Sequence, residues 1–136
     1  MNKVSETIIR DRNENEVYAI SLAQILIDNF RVFDRCTISL ALDEGGIDIL
    51  LEKRMKKRYL FRFHVQHKSS KNGARSFIKY NPCIPVWIVN KSTPPHEALV
   101  SLLNMIVKKT SSESKPHYFF VEKLCEIKAF YQIRDF

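Results

Sequence analysis

Two strand-like runs separated by a short basic turn constrain the fold of this chain more than any other feature. The runs cover residues 47–53 (IDILLEK) and 59–68 (YLFRFHVQHK), and RMKKR lies between them. Successive strand residues point to opposite faces, so Phe61, Phe63 and Val65 should share one apolar face. The pattern therefore predicts a β-hairpin that packs that face against a core.

The opposite face of this hairpin carries polar residues near its open end. Gln66 and Lys68 share that face of the second run, and Asp48 lies on the matching face of the first. Pairing of the two runs should bring the three side chains together. Two alternatives stay open, because Asp48 could cap the turn after the preceding glycines and Lys68 could be a solvated strand-end lysine. His64 shares the face and could touch a phosphate or act as a base, or it could be an ordinary surface histidine.

The rest of the chain predicts an α/β protein. Helical spacing predicts helices over 14–30 and 95–109, and β-forming runs predict strands over 36–42 and 85–90. The second of these strands is wholly apolar, which is typical of an interior strand. For residues 117–136 we predict a short strand followed by a helix, although the spacing of the apolar residues also permits a continuous helix.

The element order and length predict one domain over residues 1–136. Its fold class is α/β, with a mixed central sheet of about four to five strands flanked by helices. Three widely spaced cysteines without a CxxC motif argue against a disulfide framework or a zinc ribbon and predict buried free thiols. The polar N-terminus lacks a signal-peptide pattern, and no run is apolar enough to span a membrane, so we expect a cytoplasmic protein.

Clustered positive charge predicts a polyanionic partner. Lys and Arg total 22 against 15 Asp and Glu, giving a net charge of +7. Much of the excess lies in residues 52–58 and 68–79. Such clusters gain affinity for nucleic acid by releasing counterions from phosphates, although they also increase solubility.

The polar residues of the hairpin suit phosphodiester chemistry. A carboxylate beside an amide oxygen can hold a hard cation such as Mg²⁺. The ion acidifies a bound water and neutralises phosphate charge, and a nearby ammonium can orient the water or stabilise charge in the transition state.

The stretch GIDILLEK…YLFRFHVQHKSS resembles the core of the PD-(D/E)XK nuclease superfamily, which has the restriction-endonuclease-like fold. The family pattern is an acid in one strand, a (D/E/Q)-x-K triplet in the next, and an upstream helix that often contributes a glutamate. Asp48 matches the acid, Gln66 and Lys68 match the triplet, and Glu16 matches the helix glutamate, with Glu14 as the alternative. The resemblance covers roughly residues 14–107.

The resemblance implies a metal-dependent nuclease that hydrolyses phosphodiester bonds, in DNA rather than RNA. It assigns catalysis to Asp48, Gln66, Lys68 and Glu16. Mg²⁺ or Mn²⁺ would be held by Asp48, Gln66, Glu16 and the backbone carbonyl of His67, whose side chain should point to the apolar face. The residues expected to contact nucleic acid are Arg54, Lys56, Lys57, Arg58, Ser69, Ser70, Lys71 and Arg75.

One departure from the family pattern leaves a second function open. Gln66 replaces the commoner acid and removes one negative charge from the metal site. The alternative is a catalytically inactive module of the same fold that binds nucleic acid or another protein. Many small proteins of this fold dimerise, which makes a homodimer an expectation as well.

Overall fold

A computed structural model describes residues 3–6, 13–40, 47–56 and 58–133. Within these ranges the chain forms five strands and four helices. In chain order they are β1 (Lys3–Glu6), α1 (Glu14–Asp28), β2 (Arg35–Leu40), β3 (Ile47–Lys56), β4 (Tyr59–Lys68), α2 (Lys71–Tyr80), β5 (Val86–Ile88), α3 (Pro95–Lys109) and α4 (Ser114–Phe130). The predicted α/β class is confirmed.

The strands form one mixed sheet in the order β1-β2-β3-β4-β5. β2, β3 and β4 are antiparallel neighbours, whereas β1 and β5 run parallel to β2 and β4. The predicted hairpin is thus the β3–β4 pair at the centre of the sheet. The turn predicted before β3, at residues 43–46, lies outside the described residues.

One face of the hairpin, the core face, is apolar and buried. Ile49 pairs with Val65 and Leu51 pairs with Phe63, and all four side chains are at most 1% exposed. Phe120 of α4 packs its ring 4.7 Å from that of Phe61. Burial of these large side chains on one face is the main source of stability for the sheet.

Three helices cover the core face, and the fourth lies on the other side. The inward residues of α1, α3 and α4 belong to the same apolar cluster as the core face. The Trp87 indole of β5 donates a hydrogen bond of 2.9 Å to the Ala98 carbonyl of α3. On the opposite face, the Lys68 ammonium lies 5.1 Å from the Phe77 ring of α2. Helices therefore flank the sheet on both sides, as predicted.

The two helices predicted from apolar spacing are close to the observed ones. α1 begins after Asn13, whose side chain accepts a hydrogen bond from the Glu16 amide, and it ends at Asp28 rather than at residue 30. α3 has the predicted bounds, with Pro95 in its first turn and lysines in its last turn.

The strand predicted near residue 117 is wrong. Residues 114–130 form the continuous helix α4, which buries Phe120, Leu124 and Ile127 along one side. The helical spacing of these three residues decides the structure, because a strand would turn them toward different faces.

Three other differences concern short elements at the edges. The polar N-terminal segment contributes β1, and the basic segment after β4 contributes α2, neither of which was predicted. β5 is an edge strand of the described sheet rather than an interior strand. Its apolar character has another cause: Trp87 faces α3, whereas the neighbouring residues of β5 lie on the side of α2.

The three cysteines differ in exposure. Cys36 is buried in the core, where burial raises the pKa of its thiol to about 12. Cys83 and Cys125 are exposed, so the prediction of buried thiols is right only for Cys36. Across the described ranges, no helix combines the length and the apolar character needed to cross a membrane.

Candidate active site at the open end of the hairpin

The candidate site lies where β3 begins and β4 ends, here called the open end. Asp48 is the direct cross-strand partner of Gln66. Directly opposed residues project from the same face, with Cβ atoms about 4.5–5.5 Å apart. Lys68 follows Gln66 by two residues and shares this face, here called the site face. The backbone register thus places the predicted acid, amide and amine on one surface.

The amide and the amine of the site face are buried. Gln66 is 2% exposed and Lys68 is 3% exposed, because α2 packs over this end of β4. The Gln66 side-chain nitrogen has no hydrogen-bond partner within the described residues. Buried polar atoms are nearly always hydrogen-bonded, so an unsatisfied amide here indicates a place for a ligand or for water.

Glu16, rather than Glu14, points inward from α1. Glu16 is 1% exposed, whereas Glu14 is exposed and paired with Lys91, whose ammonium lowers the pKa of the Glu14 carboxyl. The first turn of α1 is fixed near the open end, because the Lys91 amide donates to the Asn15 side chain over 2.9 Å. Lys91 follows β5 closely, and the Val89 amide bonds to the Lys68 carbonyl.

His67 lies on the core face, as predicted. Its side chain is fully buried, and its Nε2 lies 2.9 Å from the Val89 carbonyl, which can only accept a hydrogen bond. Nε2 therefore carries the proton. Burial is the main cause that lowers the pKa of His67, with Lys68 acting in the same direction and the Val89 carbonyl and Glu16 opposing it. The His67 imidazole, on the core face next to the site, is thus neutral. The metal-binding role predicted for the His67 backbone carbonyl stays a prediction.

His64 lies beside Asp48 on the site face. Its Nε2 is 3.7 Å from the nearer Asp48 carboxylate oxygen, and the two side chains are 50% and 32% exposed. His64 pairs with Leu50 across the strands, one step from the Asp48–Gln66 pair toward the turn. Strand alternation predicted the shared face, but only the register of the sheet gives the contact.

The basic segment after β4 forms one side of α2. Ser70 caps this helix, because its hydroxyl accepts a hydrogen bond of 3.1 Å from the Gly73 amide. Lys71 and Arg75 are exposed, and Lys79 continues the same four-residue spacing along the helix. Lys79 was not among the predicted contacts, because α2 itself was not predicted. Ser69 is half-buried, and its carbonyl accepts a hydrogen bond from the Asn90 side chain.

The basic turn lies at the opposite end of the hairpin, here called the hairpin tip. Its described basic residues, Arg54, Lys56 and Arg58, are all exposed, and Lys57 lies outside the described residues. Eight residues of β3 separate Asp48 from Lys56, which corresponds to roughly 26 Å along an extended strand. The structure therefore does not bring the hairpin tip to the candidate site.

An apolar groove of about 690 Å³ lies beside the hairpin tip. It is lined by Met55, Lys56, Tyr59, Glu113, Lys115, Pro116, Tyr118 and Phe119. The hydrogen bond with Lys115 and the charge of that residue lower the pKa of Lys56. The Lys56 and Lys115 ammonium groups thus repel one another in solvent.

The sequence predicts an oxygen-rich set of metal ligands at the open end. The described residues contain no group of three His, Cys, Asp or Glu side chains placed to share a metal ion. The predicted set does not depend on such a group, because it combines two carboxylates with the Gln66 amide and a backbone carbonyl. Oxygen ligands of this kind fit a hard divalent cation, whereas the unpaired Gln66 nitrogen is a donor and suits a water or a phosphate oxygen.

Comparisons of this chain with protein-family models, with curated protein sequences and with solved structures return no match, so the functional assignment depends on the geometry of the open end.

Proposed function

We propose that this protein is a metal-dependent nuclease of the restriction-endonuclease-like fold that hydrolyses phosphodiester bonds in DNA. One observation carries the proposal: Asp48 and Gln66 are paired across adjacent strands, and Lys68 follows on the same face. Gln66 is also buried on this face, with a side-chain nitrogen that lacks a hydrogen-bond partner within the described residues.

The order of the elements supports the fold assignment. A helix that buries a glutamate precedes the strand that carries the acid, and the strand with the triplet follows. The next strand, β5, pairs with β4, although it is the outermost strand of the described sheet. In the family pattern this position belongs to an inner strand, so β5 is the part of the fold that departs from the resemblance.

Asp48, Glu16, Gln66 and the His67 carbonyl would hold Mg²⁺ or Mn²⁺. The ion, when bound, supplies charge neutralisation at the phosphate and a more acidic bound water. The carboxylates contribute the negative charge that binds the cation. The Gln66 amide contributes a neutral oxygen, which implies weaker metal binding than an acid at the same position would give.

Lys68 would act on the reacting phosphate group. Its ammonium presents three donors in a nearly dry environment between β4 and α2. Donors that are already oriented in a low-dielectric site stabilise developing charge more than donors in water do. Lys68 would therefore orient the attacking water or stabilise the oxygens of the transition state.

The exposed side of α2 would hold the DNA backbone. Lys71 and Arg75 lie on it within one and two helical turns of the open end, and Lys79 extends the row. Cations spaced in this way contact successive phosphates without reading sequence. The hairpin tip would contribute less, because it lies roughly 26 Å from Asp48 along the strand.

The test is a DNA cleavage assay with matched substitutions. Purified wild type, Asp48→Asn and Lys68→Met are incubated with supercoiled plasmid in Mg²⁺ or Mn²⁺. The controls are Asp28→Asn and Lys109→Met, which change exposed residues at the ends of α1 and α3. The proposal expects cleavage by wild type and by both controls and its loss in the two site variants, with circular dichroism showing that every variant is folded. Equal cleavage by wild type and the site variants, or no cleavage with either ion, would contradict it.

A catalytically inactive nucleic-acid-binding module of the same fold is the second candidate. Gln66 favours it, because an amide in place of an acid leaves two carboxylates for the ion. Retardation of DNA in a gel without cleavage would support this candidate. Neither retardation nor cleavage would instead favour a protein-interaction role for the basic surface. The expected homodimer is tested separately by sedimentation equilibrium.

A further inference from the structure

The groove beside the hairpin tip has the size of a ligand site. Its volume of about 690 Å³ lies within the range of roughly 300–1,000 Å³ that is usual for sites of small ligands. Two separate parts of the fold build it, the β3–β4 hairpin and the first turns of α4. The apolar side chains of its lining include Met55, Tyr59, Pro116 and Phe119. The groove is therefore a feature of the tertiary structure rather than a gap within one loop.

Two exposed aromatic rings line this groove. Tyr59 is 43% exposed and Tyr118 is 70% exposed. Phe119 also lines it but is half-buried, and the ammonium groups of Lys53 and Lys123 lie 5.3 Å and 5.6 Å from its ring. The two tyrosines are thus the rings of the groove that a flat ligand from solvent can contact. An exposed ring of this kind is a platform on which a nucleic-acid base can stack.

The charged lining of the groove carries two ammonium groups and one carboxylate. The carboxylate belongs to Glu113, which accepts a hydrogen bond of 3.4 Å from the Tyr59 hydroxyl. Lys115 approaches Lys56, and its hydrogen bond and charge lower the pKa of the Lys56 ammonium. Like charges in contact are unfavourable, whereas an anion between them would accept hydrogen bonds from both. The two lysines therefore suit a phosphate group.

We infer that this groove binds single-stranded nucleic acid, with a base against the Tyr118 ring and the adjoining phosphate between the Lys56 and Lys115 ammonium groups. Exposed rings beside clustered cations are the means by which proteins hold single strands without reading their sequence. A duplex keeps its bases stacked on one another and cannot use the rings. An acidic protein segment would satisfy the lysines and leave the rings without a flat partner.

The net charge of +7 also favours a polyanion over a neutral apolar ligand. The inference does not depend on the proposed metal site, because the hairpin tip is roughly 26 Å from Asp48 along the strand. A strand held in the groove would be anchored to the protein, and the groove residues would take no part in a reaction at the open end.

The experiment measures binding in EDTA, so that no metal-dependent reaction contributes. A fluorescent 12-nucleotide oligo(dT) and a duplex of the same length are titrated with the full chain at several salt concentrations. Tyr118→Ala should weaken binding of the single strand by about 5- to 100-fold and leave duplex binding unchanged, whereas Tyr118→Phe keeps the ring and should bind as the wild type does. Lys115→Gln should reduce the slope of log affinity against log salt by about 0.7, the value of one phosphate contact on a single strand.

Two matched controls lie outside the groove. Phe130 is a 65% exposed ring at the other end of α4, and Lys109 is an exposed lysine at the end of α3. Phe130→Ala and Lys109→Gln should change neither the affinity for the single strand nor its salt dependence. Circular dichroism shows whether each variant is folded, and the high exposure of Tyr118 makes its replacement compatible with folding.

The outcomes separate this inference from the proposed function. Wild-type affinity of Tyr118→Ala for oligo(dT), an equal loss of duplex binding, or no binding of oligo(dT) by the wild type overturns the inference. Binding that depends on Tyr118 in a protein that cuts no DNA supports the inference and contradicts the nuclease. Cleavage that depends on Asp48 and Lys68, with unchanged oligo(dT) binding in Tyr118→Ala, does the reverse.

Discussion

The two ends of the β3–β4 hairpin carry similar residue types in opposite environments. At the open end, Gln66 and Lys68 are at most 3% exposed, on the same face as Asp48. At the hairpin tip, Arg54 and Lys56 are exposed. The tip has the denser cluster of charged residues in the sequence, but water solvates these charged groups. A buried polar atom without a partner costs free energy, and the Gln66 side-chain nitrogen is such an atom within the described residues, so the open end is the better place to look for a function.

The comparison also explains which sequence signal was informative. A run of basic residues is compatible with a solvated turn, since exposed charges change the free energy of folding only slightly. An amide and an amine in alternate positions of a buried strand are not compatible with a simple core. The second signal therefore predicts a site better than the first, although it contains fewer charges.

The largest expected effect contrasts a lysine from each end. Under the proposed function, Lys68→Met should reduce DNA cleavage by about 10²–10³-fold, because a buried donor beside the reacting phosphate would be lost. Lys56→Met should change cleavage by less than about threefold, because an exposed cation far from the reacting group contributes only to encounter. Single-turnover rates with saturating protein measure both, and similar losses in the two variants would break the comparison.

The next effect concerns stability along β3. Ile49→Ala removes a fully buried side chain near the open end and should cost about 2–5 kcal/mol of unfolding free energy. Met55→Ala near the hairpin tip removes a half-buried side chain and should cost roughly half as much or less. Urea unfolding of the two variants gives the difference, and a larger cost for Met55→Ala would show that the tip is the better packed end.

A smaller effect tests the helix that covers the open end. Ser70→Ala removes the hydroxyl that accepts from the Gly73 amide and should cost about 1 kcal/mol. Ser69→Ala is the matched control, since Ser69 precedes the cap and the Ser70 hydroxyl is retained. Thermal unfolding of both variants is the measurement. A drop in stability for Ser69→Ala alone would place the start of α2 elsewhere.

The smallest effect is a pH dependence at the hairpin tip. Lys115 lowers the pKa of Lys56 below its ordinary value of 10.5, so just below that pH the folded chain binds fewer protons than the unfolded chain. Stability should therefore rise slightly as the pH increases through this window toward 10.5. Lys115→Gln should remove the dependence and raise the pKa of Lys56, which NMR titration of the Lys56 side chain reports directly. A pKa that does not move would show that the two ammonium groups are apart in solution.

Local periodicity predicted the central elements well. Alternating residues gave β4 its observed bounds, and the apolar spacing after Pro95 gave those of α3. Both patterns depend on neighbouring residues in the chain and need no knowledge of partners. α4 was harder, because aromatic residues at its start favour a strand locally, whereas the helix is stabilised by distant core contacts such as those of Phe120 with Phe33 and Phe61.

Short elements were missed because their stability comes from distant contacts. β1 has four residues and exists by pairing with β2, which is about thirty residues later in the chain. α2 contains a glycine and several polar residues, so its intrinsic preference for a helix is weak. Its cap at Ser70 and its position over the site face stabilise it.

For the candidate site, the sequence by itself determined which residues share a face, since the two-residue period of a strand is a property of the backbone. It placed His64 with Gln66 and Lys68, and His67 with the core, before any partner was known. It could not determine burial, distance or contact. The register that sets Asp48 against Gln66, the packing of α2 over Lys68 and the approach of His64 to Asp48 were decided by the tertiary structure, because each depends on segments that meet only when the sheet and its helices assemble.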